Sequence, residues 1–299
     1  MATPAGTPAL PHRPSSSDAV RVLALAAAAL LLAPASEAAA AVLDRDAPVV
    51  VHAEGEPDPL TSVQAFAGRV PGVRPGTPRP VLYGRRVGPW LQYWMLFARE
   101  DQDLGVLRTG RREGDWELVQ YRLDRGRIAE GVYSQPGGAE RCGAESMRFR
   151  DDRPLVFLAH ASHSAYFARG VRDRTWPRPN DAASGGGPVV RPGVVRIGGG
   201  RRGWIRWPGR WGATRAGWFP GEQDSPRGPA FSPAGAWADP AAWAAAAGSC
   251  NATQCNQLGE CDLQETLTSA ALAILGLLGA AWLARRRLRA GERAVAPAG

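Results

Sequence analysis

The chain has 299 residues, a formal net charge of +8 and a mean hydropathy of −0.24. All 36 of its Lys or Arg positions are arginine, and outside the termini they are scattered among acids. A nucleic-acid-binding protein usually concentrates its basic residues on one face, so no nucleic-acid partner is expected. With both termini set aside, about 220 residues remain, which predicts one large domain.

The N-terminus predicts a secretory signal peptide. Arg13 and Arg21 precede an uncharged apolar run at residues 22–33, and small residues follow it. A basic start, an apolar run of this length and a small-residue end are typical of such peptides. We therefore assign residues 1–40 to a signal peptide that is cleaved within 38–41. An uncleaved N-terminal anchor is the alternative.

Residues 41–248 are predicted to form an exported β-sandwich domain. Within it, residues 53–80 are rich in Gly and Pro and indicate a loop, and the predicted strands follow this loop. Turn residues separate several segments that are rich in β-branched and aromatic residues, which is typical of an all-β sandwich. One segment is apolar on both faces and predicts a buried central strand. The predicted strand segments are PVLYGRRV, WLQYWMLFARE, DWELVQYRLD, RIAEGVYSQ and RPLVFLAHASH.

The clearest helical stretch of this domain is at residues 238–248, with sequence ADPAAWAAAAG. Asp239 is predicted to cap its N-terminus, with Pro240 in the first turn. Residues 169–203 are rich in Gly, Pro and Arg and indicate loops.

Asp115 and Glu117 are the first candidate site residues. Two positions apart on a strand, their side chains lie on one face, with Trp116 on the other. Carboxylates this close destabilise each other unless a positive group lies between them. Arg111 or Arg112 just upstream could supply that group. A hard divalent cation, calcium or magnesium, is the alternative, because such ions prefer oxygen ligands.

His160 and His163 lie at and after the end of the strand segment RPLVFLAHASH. Two histidines beside serines indicate a ligand-binding or acid–base site, although a histidine at a strand end is more often structural. No Gly-x-Ser-x-Gly, zinc-protease, P-loop or dinucleotide-binding motif is present in the sequence. An extracytoplasmic hydrolase that uses His163 with Asp115 or Glu117 as acid and base is therefore kept as an alternative function.

The four cysteines predict two disulfides, because an exported chain with an even cysteine count permits them. Three of them lie in a juxtamembrane segment at residues 249–266, and their spacing is poor for zinc. We expect one local disulfide and one that ties the fourth cysteine, Cys142, to this segment. The four residues are Cys142, Cys250, Cys255 and Cys261.

The C-terminus predicts a single membrane span. Residues 267–284 form an uncharged apolar run of about 18 residues, which is just long enough to cross a hydrocarbon core of ~30 Å. Arginines follow it at 285–289. Because basic residues beside a span stay in the cytoplasm, residues 285–299 are predicted to be a cytoplasmic tail. The main domain would then face outward from the cell membrane.

Three segments in order, EGDWELVQYRL, VYSQPGG and RPLVFLAHASHSAYF, resemble the vacuolar protein sorting-associated protein 62 family. A more distant resemblance is to necrosis-inducing, ethylene-inducing peptide-like proteins. That resemblance implies a β-sandwich and a divalent cation held by Asp115 and Glu117. Histidines of the related motifs are replaced here by Gly114 and Arg112.

The function these features favour is a surface-displayed, membrane-anchored domain that binds a polar small molecule or a glycan, with or without a cation. The ligand-binding candidates share the predicted polar cleft and are Arg112, Asp115, Glu117, His160 and His163. A cytolysin-like, membrane-active protein is a further alternative, although an anchored domain is poorly suited to act as a released toxin.

Overall fold

A computed structural model describes residues 40–101, 111–136, 138–174, 180–197, 203–213, 224–232, 235–255 and 260–295. Within the last range, side chains are described for 270–287. The chain divides into two compact units, residues 1–45 and 46–299. The first unit is described only by a helical stretch at 40–45. The predicted signal peptide lies outside the described residues except at residue 40.

Strands dominate the second unit. In chain order they are β1 (Val49–Val51), β2 (Val81–Val87), β3 (Trp90–Glu100), β4 (Arg112–Asp124), β5 (Arg127–Gln135), β6 (Gly138–Gly143), β7 (Phe149–Arg150), β8 (Arg153–Leu158), β9 (Ala165–Tyr166), β10 (Gly170–Arg172), β11 (Asp181–Ala183), β12 (Val189–Val190), β13 (Gly193–Arg196) and β14 (Gly248–Ser249). The structure thus confirms a β-rich domain, and β2, β3, β4, β5 and β8 lie where the sequence predicts strands.

The largest sheet has seven strands in the order β13-β2-β3-β4-β5-β6-β14. Its five inner strands pair antiparallel, whereas β13 joins β2, and β14 joins β6, in parallel. β3 is the buried central strand that the sequence predicts: Trp94 and Leu96 pack on one face, and Tyr93 and Phe97 on the other, all at most 2% exposed. Burial on both faces explains why the strand is apolar from position 90 to 98 apart from Gln92.

The second sheet has the order β12-β1-β8-β7, with β9 paired to β8. β1 and β8 are parallel. Tyr133 of the large sheet donates its hydroxyl to the carbonyl of Leu155 in β8 at 3.2 Å, and its ring stacks on Phe167 at 3.8 Å. These contacts place buried aromatic side chains between the two sheets. β10 and β11 form a separate two-stranded sheet.

Helices are few. α1 (Pro240–Ala245) is capped by Asp239, whose carboxylate accepts hydrogen bonds from the amides of Ala241 and Ala242, as the sequence predicts. α2 (Glu260–Val295) contains the predicted membrane span, residues 267–284. In the described part of the chain, however, no helix combines the length and the hydropathy that crossing a membrane requires. The short 3-10 helices are Val63–Phe66, Ala144–Ser146, Gly203–Arg206 and Pro229–Phe231.

A disulfide joins Cys142 of β6 to Cys250, 108 residues later. It confirms the expected tie between Cys142 and the cysteine-rich segment. Cys255 is disulfide-bonded as well, and no described cysteine is free. The Cys261 side chain lies outside the described residues. The disulfide therefore fixes the segment after α1 against the edge of the large sheet, where β14 pairs with β6.

Candidate functional site

The candidate site begins at a half-open edge of β4. β4 pairs with β3 along most of its length, but β5 pairs with it only from Val119 to Asp124. Residues 112–118 are therefore not paired with β5. Ser134 of β5 compensates in part, because its Oγ accepts the amide N–H of Leu118 at 2.8 Å.

Gly114 shapes this edge. Its φ is +67°, in the left-handed region that glycine adopts without strain. A Cβ at this position would lie 2.4 Å from the carbonyl oxygen of Trp211, which is too close for any side chain. The packing of Trp211 therefore excludes the histidine that the resembling motif places here.

Arg112 lies between two carboxylates. Its Nη2 is 2.5 Å from Oδ1 of Asp115 and 2.5 Å from Oε2 of Glu100, the residue directly opposite it on β3. Burial disfavours the charged guanidinium, but Asp115 and Glu100 outweigh burial and raise the pKa of Arg112. The guanidinium is thus a fixed positive charge at the head of the strand.

His163 supplies a second positive charge. Its Nδ1 is 3.1 Å from Oδ2 of Asp115, its Nε2 is 3.2 Å from Oε1 of Glu56, and its ring stacks on Phe97 at 3.9 Å. Burial lowers the pKa of His163, but hydrogen bonds to Asp115 and Glu56 outweigh burial and raise the pKa to about 10. The residue is therefore an imidazolium at neutral pH.

Asp115 and Glu56 are the carboxylates that these cations keep ionised. Burial raises the pKa of Asp115, but Arg112 and His163 bring it below its usual value. Burial likewise raises the pKa of Glu56, and the hydrogen bond from His163 then lowers it. Both groups are negative at neutral pH, and both stabilise the protonated form of His163.

The pKa values of Glu100 and Glu117 are shifted in the opposite direction, above the usual value of a glutamate. Burial, together with the charge of Asp115, raises the pKa of Glu100 to about 8 and the pKa of Glu117 well above its usual value. Glu117 is 8% exposed and is hydrogen-bonded to the hydroxyl of Ser134. A carboxyl group that stays neutral near pH 7 is a frequent feature of functional sites.

A cavity of about 750 Å³ opens beside this edge of β4. Its polar lining includes Glu117, Ser134 and Gln135. Its aromatic lining is Trp94, Trp116, Trp243 and Phe231. Neither Trp94 nor Trp116 has a hydrogen-bond acceptor for its indole N–H within the described residues. The cavity therefore combines flat apolar surfaces with a few polar groups, as ligand sites commonly do.

Three arginines also line the cavity, and they differ in how they are neutralised. Arg112 contacts Asp115 and Glu100, as described above, and Arg210 pairs with Asp224 at 2.7 Å. Arg227 is exposed and forms no ion pair in the part of the chain that the structure describes.

The predicted site residues separate into three groups. Arg112, Asp115 and His163 converge in the buried cluster, and Glu117 joins it to the cavity. His160 is exposed and has no hydrogen bond or ion pair to the cluster among the described residues. The sequence did not point to Glu56 or Glu100. Glu56 contacts His163 from 107 residues away, and Glu100 contacts Arg112 through the pairing of β3 with β4, so only the fold brings them together.

The described residues do not form a metal centre. They include no group of three or more His, Cys, Asp or Glu side chains that could hold a metal ion. The guanidinium of Arg112 occupies the position between Glu100 and Asp115 at ion-pair distance from both.

Comparison with known proteins yields distant structural likenesses only. No protein-family model and no curated protein sequence matches the chain, so the resemblance to the vacuolar protein sorting-associated protein 62 family has no support. The similar solved structures include a "toxin fold for microbial attack and plant defense", 13% identical, with a TM-score of 0.34 over 52% of this chain and 72% of that one.

Two further likenesses are of the same kind. NLPPya in complex with glucosamine is 14% identical, with a TM-score of 0.34 over 53% of this chain and 73% of that one. Necrosis and ethylene inducing protein 2, from the causal agent of cocoa's witches' broom disease, is 12% identical, with a TM-score of 0.32 over 52% and 72%. Likenesses at this level do not assign the chain to a family.

Proposed function

We propose that this chain is an extracytoplasmic domain that binds a polar ligand in the cavity beside β4. The observation that carries the proposal is the cavity itself: about 750 Å³, with Trp94, Trp116 and Trp243 beside Glu117 and Arg227. Small-molecule sites typically measure about 300–1,000 Å³ and combine an apolar, aromatic lining with a few polar groups. The size and the composition of this cavity both fall within that pattern.

Binding is favoured over hydrolysis because of where His163 lies. Its side chain is fully buried, both ring nitrogens are occupied by Asp115 and Glu56, and the imidazole is protonated at neutral pH. A general base must be unprotonated and within reach of the substrate. Neither His163 nor Asp115 lines the cavity. No observation favours the cytolysin-like alternative.

We also propose that Arg112 takes the role that a divalent cation would play between the acids of β3 and β4. Its contacts of 2.5 Å to Asp115 and Glu100 support this role. Ligand binding then requires no calcium or magnesium. Arg112 and His163 together make the head of β4 rigid, and this rigidity keeps Glu117 and Ser134 in place at the cavity wall.

The extracytoplasmic location is supported by the disulfide between Cys142 and Cys250. Disulfides of this kind persist in oxidising compartments and are rare in the cytosol. Export by the N-terminal signal peptide and anchoring by the C-terminal segment belong to the same proposal.

The test is a variant that fills the cavity without disturbing the fold. Gly138 lines the cavity, is exposed, and would meet no atom within 4 Å if it carried a Cβ. Gly138→Leu should therefore fold normally and abolish binding. The matched control is Gly193→Leu, at an equally open strand position that does not line the cavity. Binding of a panel of saccharides, amino acids and phosphorylated alcohols would be followed by tryptophan fluorescence.

A further inference from the structure

We propose that the ligand of this cavity is a small zwitterion, whose ammonium group binds beside Glu117 between aromatic rings and whose anionic group binds Arg227. This inference rests on the proposed function and narrows it to one class of ligand. Three observations carry it: a buried acid at the cavity wall with no described cation at ion-pair distance, the aromatic lining, and the distribution of the arginines.

The buried cluster contains more acids than cations. It holds four carboxyl groups and two positive side chains: Arg112 contacts Glu100 and Asp115, and His163 contacts Asp115 and Glu56. Both cations contact other acids. Within the described residues, Glu117 has no cation at ion-pair distance and is held only by the hydroxyl of Ser134. The four acids are Glu56, Glu100, Asp115 and Glu117.

Glu117 is therefore the acid of the cluster that no described cation pairs with, and of these four acids it is the one that lines the cavity. A buried carboxylate without a cation is costly, so the group either keeps a proton or acquires a positive ligand. A divalent metal would need further oxygen ligands, and no three His, Cys, Asp or Glu side chains of the described residues are arranged to supply them. An organic ammonium needs no such ligand set.

The aromatic lining suits the same group. Trp94, Trp116, Trp243 and Phe231 line the cavity that Glu117 lines. The faces of aromatic rings carry partial negative charge and attract cations, most strongly where water is excluded. Aromatic rings are the usual means by which proteins recognise quaternary ammonium groups.

The arginines indicate the other end of the ligand. Arg112 and Arg210 are neutralised by Glu100, Asp115 and Asp224, whereas Arg227 has no carboxylate at ion-pair distance among the described residues. A free guanidinium is well suited to a phosphate or a carboxylate. One cavity thus presents a carboxyl group and a guanidinium that have no ion-pair partner among the described residues, and together they match the two ends of a zwitterion.

Binding should release a proton. Glu117 faces Asp115 and Arg112 on its own strand, Glu100 on β3 and Ser134 on β5, with His163 behind Asp115. Burial and the neighbouring acids raise its pKa, so the empty cavity holds Glu117 as a neutral acid. When an ammonium group takes its place beside the carboxyl, the proton leaves to solvent. One ligand binds, one proton is released, and affinity rises with pH.

The experiment uses four probes on the full chain: phosphocholine, choline, glycerol 3-phosphate and glucose. Calorimetric titration in two buffers of different ionisation enthalpy gives the affinity and the number of protons released. We expect phosphocholine to bind about tenfold or more tightly than either charged half, since each half loses one electrostatic contact. We also expect about one proton released per phosphocholine.

Two variants test which residue binds each end of the ligand. Glu117→Gln should bind phosphocholine no better than glycerol 3-phosphate and should release no proton. Arg227→Gln should bind phosphocholine no better than choline. Arg86→Gln, at an exposed arginine that does not line the cavity, is the control and should behave as the wild type. Thermal unfolding of each variant checks that the fold is intact.

The outcomes separate the two proposals. If glucose binds and Gly138→Leu abolishes its binding, while phosphocholine shows no advantage and no proton release, the zwitterion inference is overturned and the proposed function stands. If no probe binds in a manner that Gly138→Leu abolishes, both fall. If phosphocholine binds as expected, competition with phosphatidylcholine vesicles distinguishes two sources of the ligand. Vesicles that displace phosphocholine indicate a lipid headgroup, and vesicles that do not indicate a free small molecule.

Discussion

His163 and Asp115 form an ion pair that is closed off from solvent: Nδ1 lies 3.1 Å from Oδ2, and neither side chain has exposed area. The pair connects the loop after β8 to the head of β4. Positive φ angles at Ala161 and at His163 itself hold this loop in an uncommon conformation. The contact with Asp115 therefore stabilises a loop that local preferences alone would not favour.

The ion pair predicts a loss of stability at alkaline pH. The pKa of His163 is about 10 in the folded chain and about 6.5 when unfolded. The folded state therefore binds the extra proton between these values, and its contribution is complete below pH 6.5 and declines as the pH rises through 10. His163→Gln removes it. The difference in unfolding free energy between wild type and variant should be constant at pH 5–6 and shrink towards pH 10.

Urea unfolding at a series of pH values measures that difference. At pH 6 the variant should be about 3–5 kcal/mol less stable, because Asp115 and Glu56 lose a buried partner. A difference that is independent of pH from 6 to 10 would show that His163 is neutral in the folded chain.

Removal of Arg112 should be strongly destabilising. Arg112→Gln leaves Glu100 and Asp115 without their shared cation, and loss of one partner from a buried ionic cluster typically costs about 3–5 kcal/mol. The matched control is Arg122→Gln, whose partner Glu130 is 3.1 Å away at a position where the arginine side chain is 38% exposed. Exposed pairs contribute about 0–1 kcal/mol. Equal losses for the two variants in denaturant titrations would contradict the assigned role of Arg112.

Metal removal should leave the wild type unchanged. Since Arg112 neutralises the acids, a chelator should not alter the melting temperature, and calcium should not raise it. In Arg112→Gln the oxygens of Glu100 and Asp115 are released from their cation, and calcium should then raise the melting temperature by binding the native state. A wild-type melting temperature that falls with chelator and recovers with calcium or magnesium would restore the cation hypothesis.

The strands of the large sheet could be predicted well because their sequence patterns are local. Aromatic and β-branched runs between turn residues predicted β2 to β5, and the apolar run on both faces predicted the central position of β3. The parallel pairs of β1 with β8 and of β13 with β2 could not be predicted. They join short segments far apart in the chain, and nothing in a three-residue strand specifies its partner.

The site was predictable only in part for the same reason. Asp115 and Glu117 share a strand face because of the two-residue period, and Arg112 is close in sequence. Glu100 faces Arg112 because of the β3–β4 register, and Glu56 reaches His163 from 107 residues away. A second missed feature is the buried ladder of Arg85, Gln92 and Gln120 across three strands, which holds the segment before α1.

The disulfide should stabilise the segment that follows α1. Cys142→Ser breaks the link to Cys250, and loss of a native disulfide commonly costs about 2–5 kcal/mol. The amide of Asp173 donates to the carbonyl of Thr253 at 2.8 Å, in the segment that follows Cys250. Hydrogen exchange at this amide should accelerate in the variant, whereas exchange in β3 should change only as global stability does. Unchanged protection at Asp173 would show that the segment stays docked without the disulfide.

The most direct test of the account is the affinity of the cavity for a polar ligand in three proteins: wild type, Gly138→Leu and Gly193→Leu. A calorimetric titration with the tightest-binding probe of the panel is the measurement. The account predicts equal affinities for wild type and Gly193→Leu, and no measurable binding by Gly138→Leu, because its side chain takes up ligand space. Equal affinity in all three folded proteins would place the binding site elsewhere and contradict the central claim.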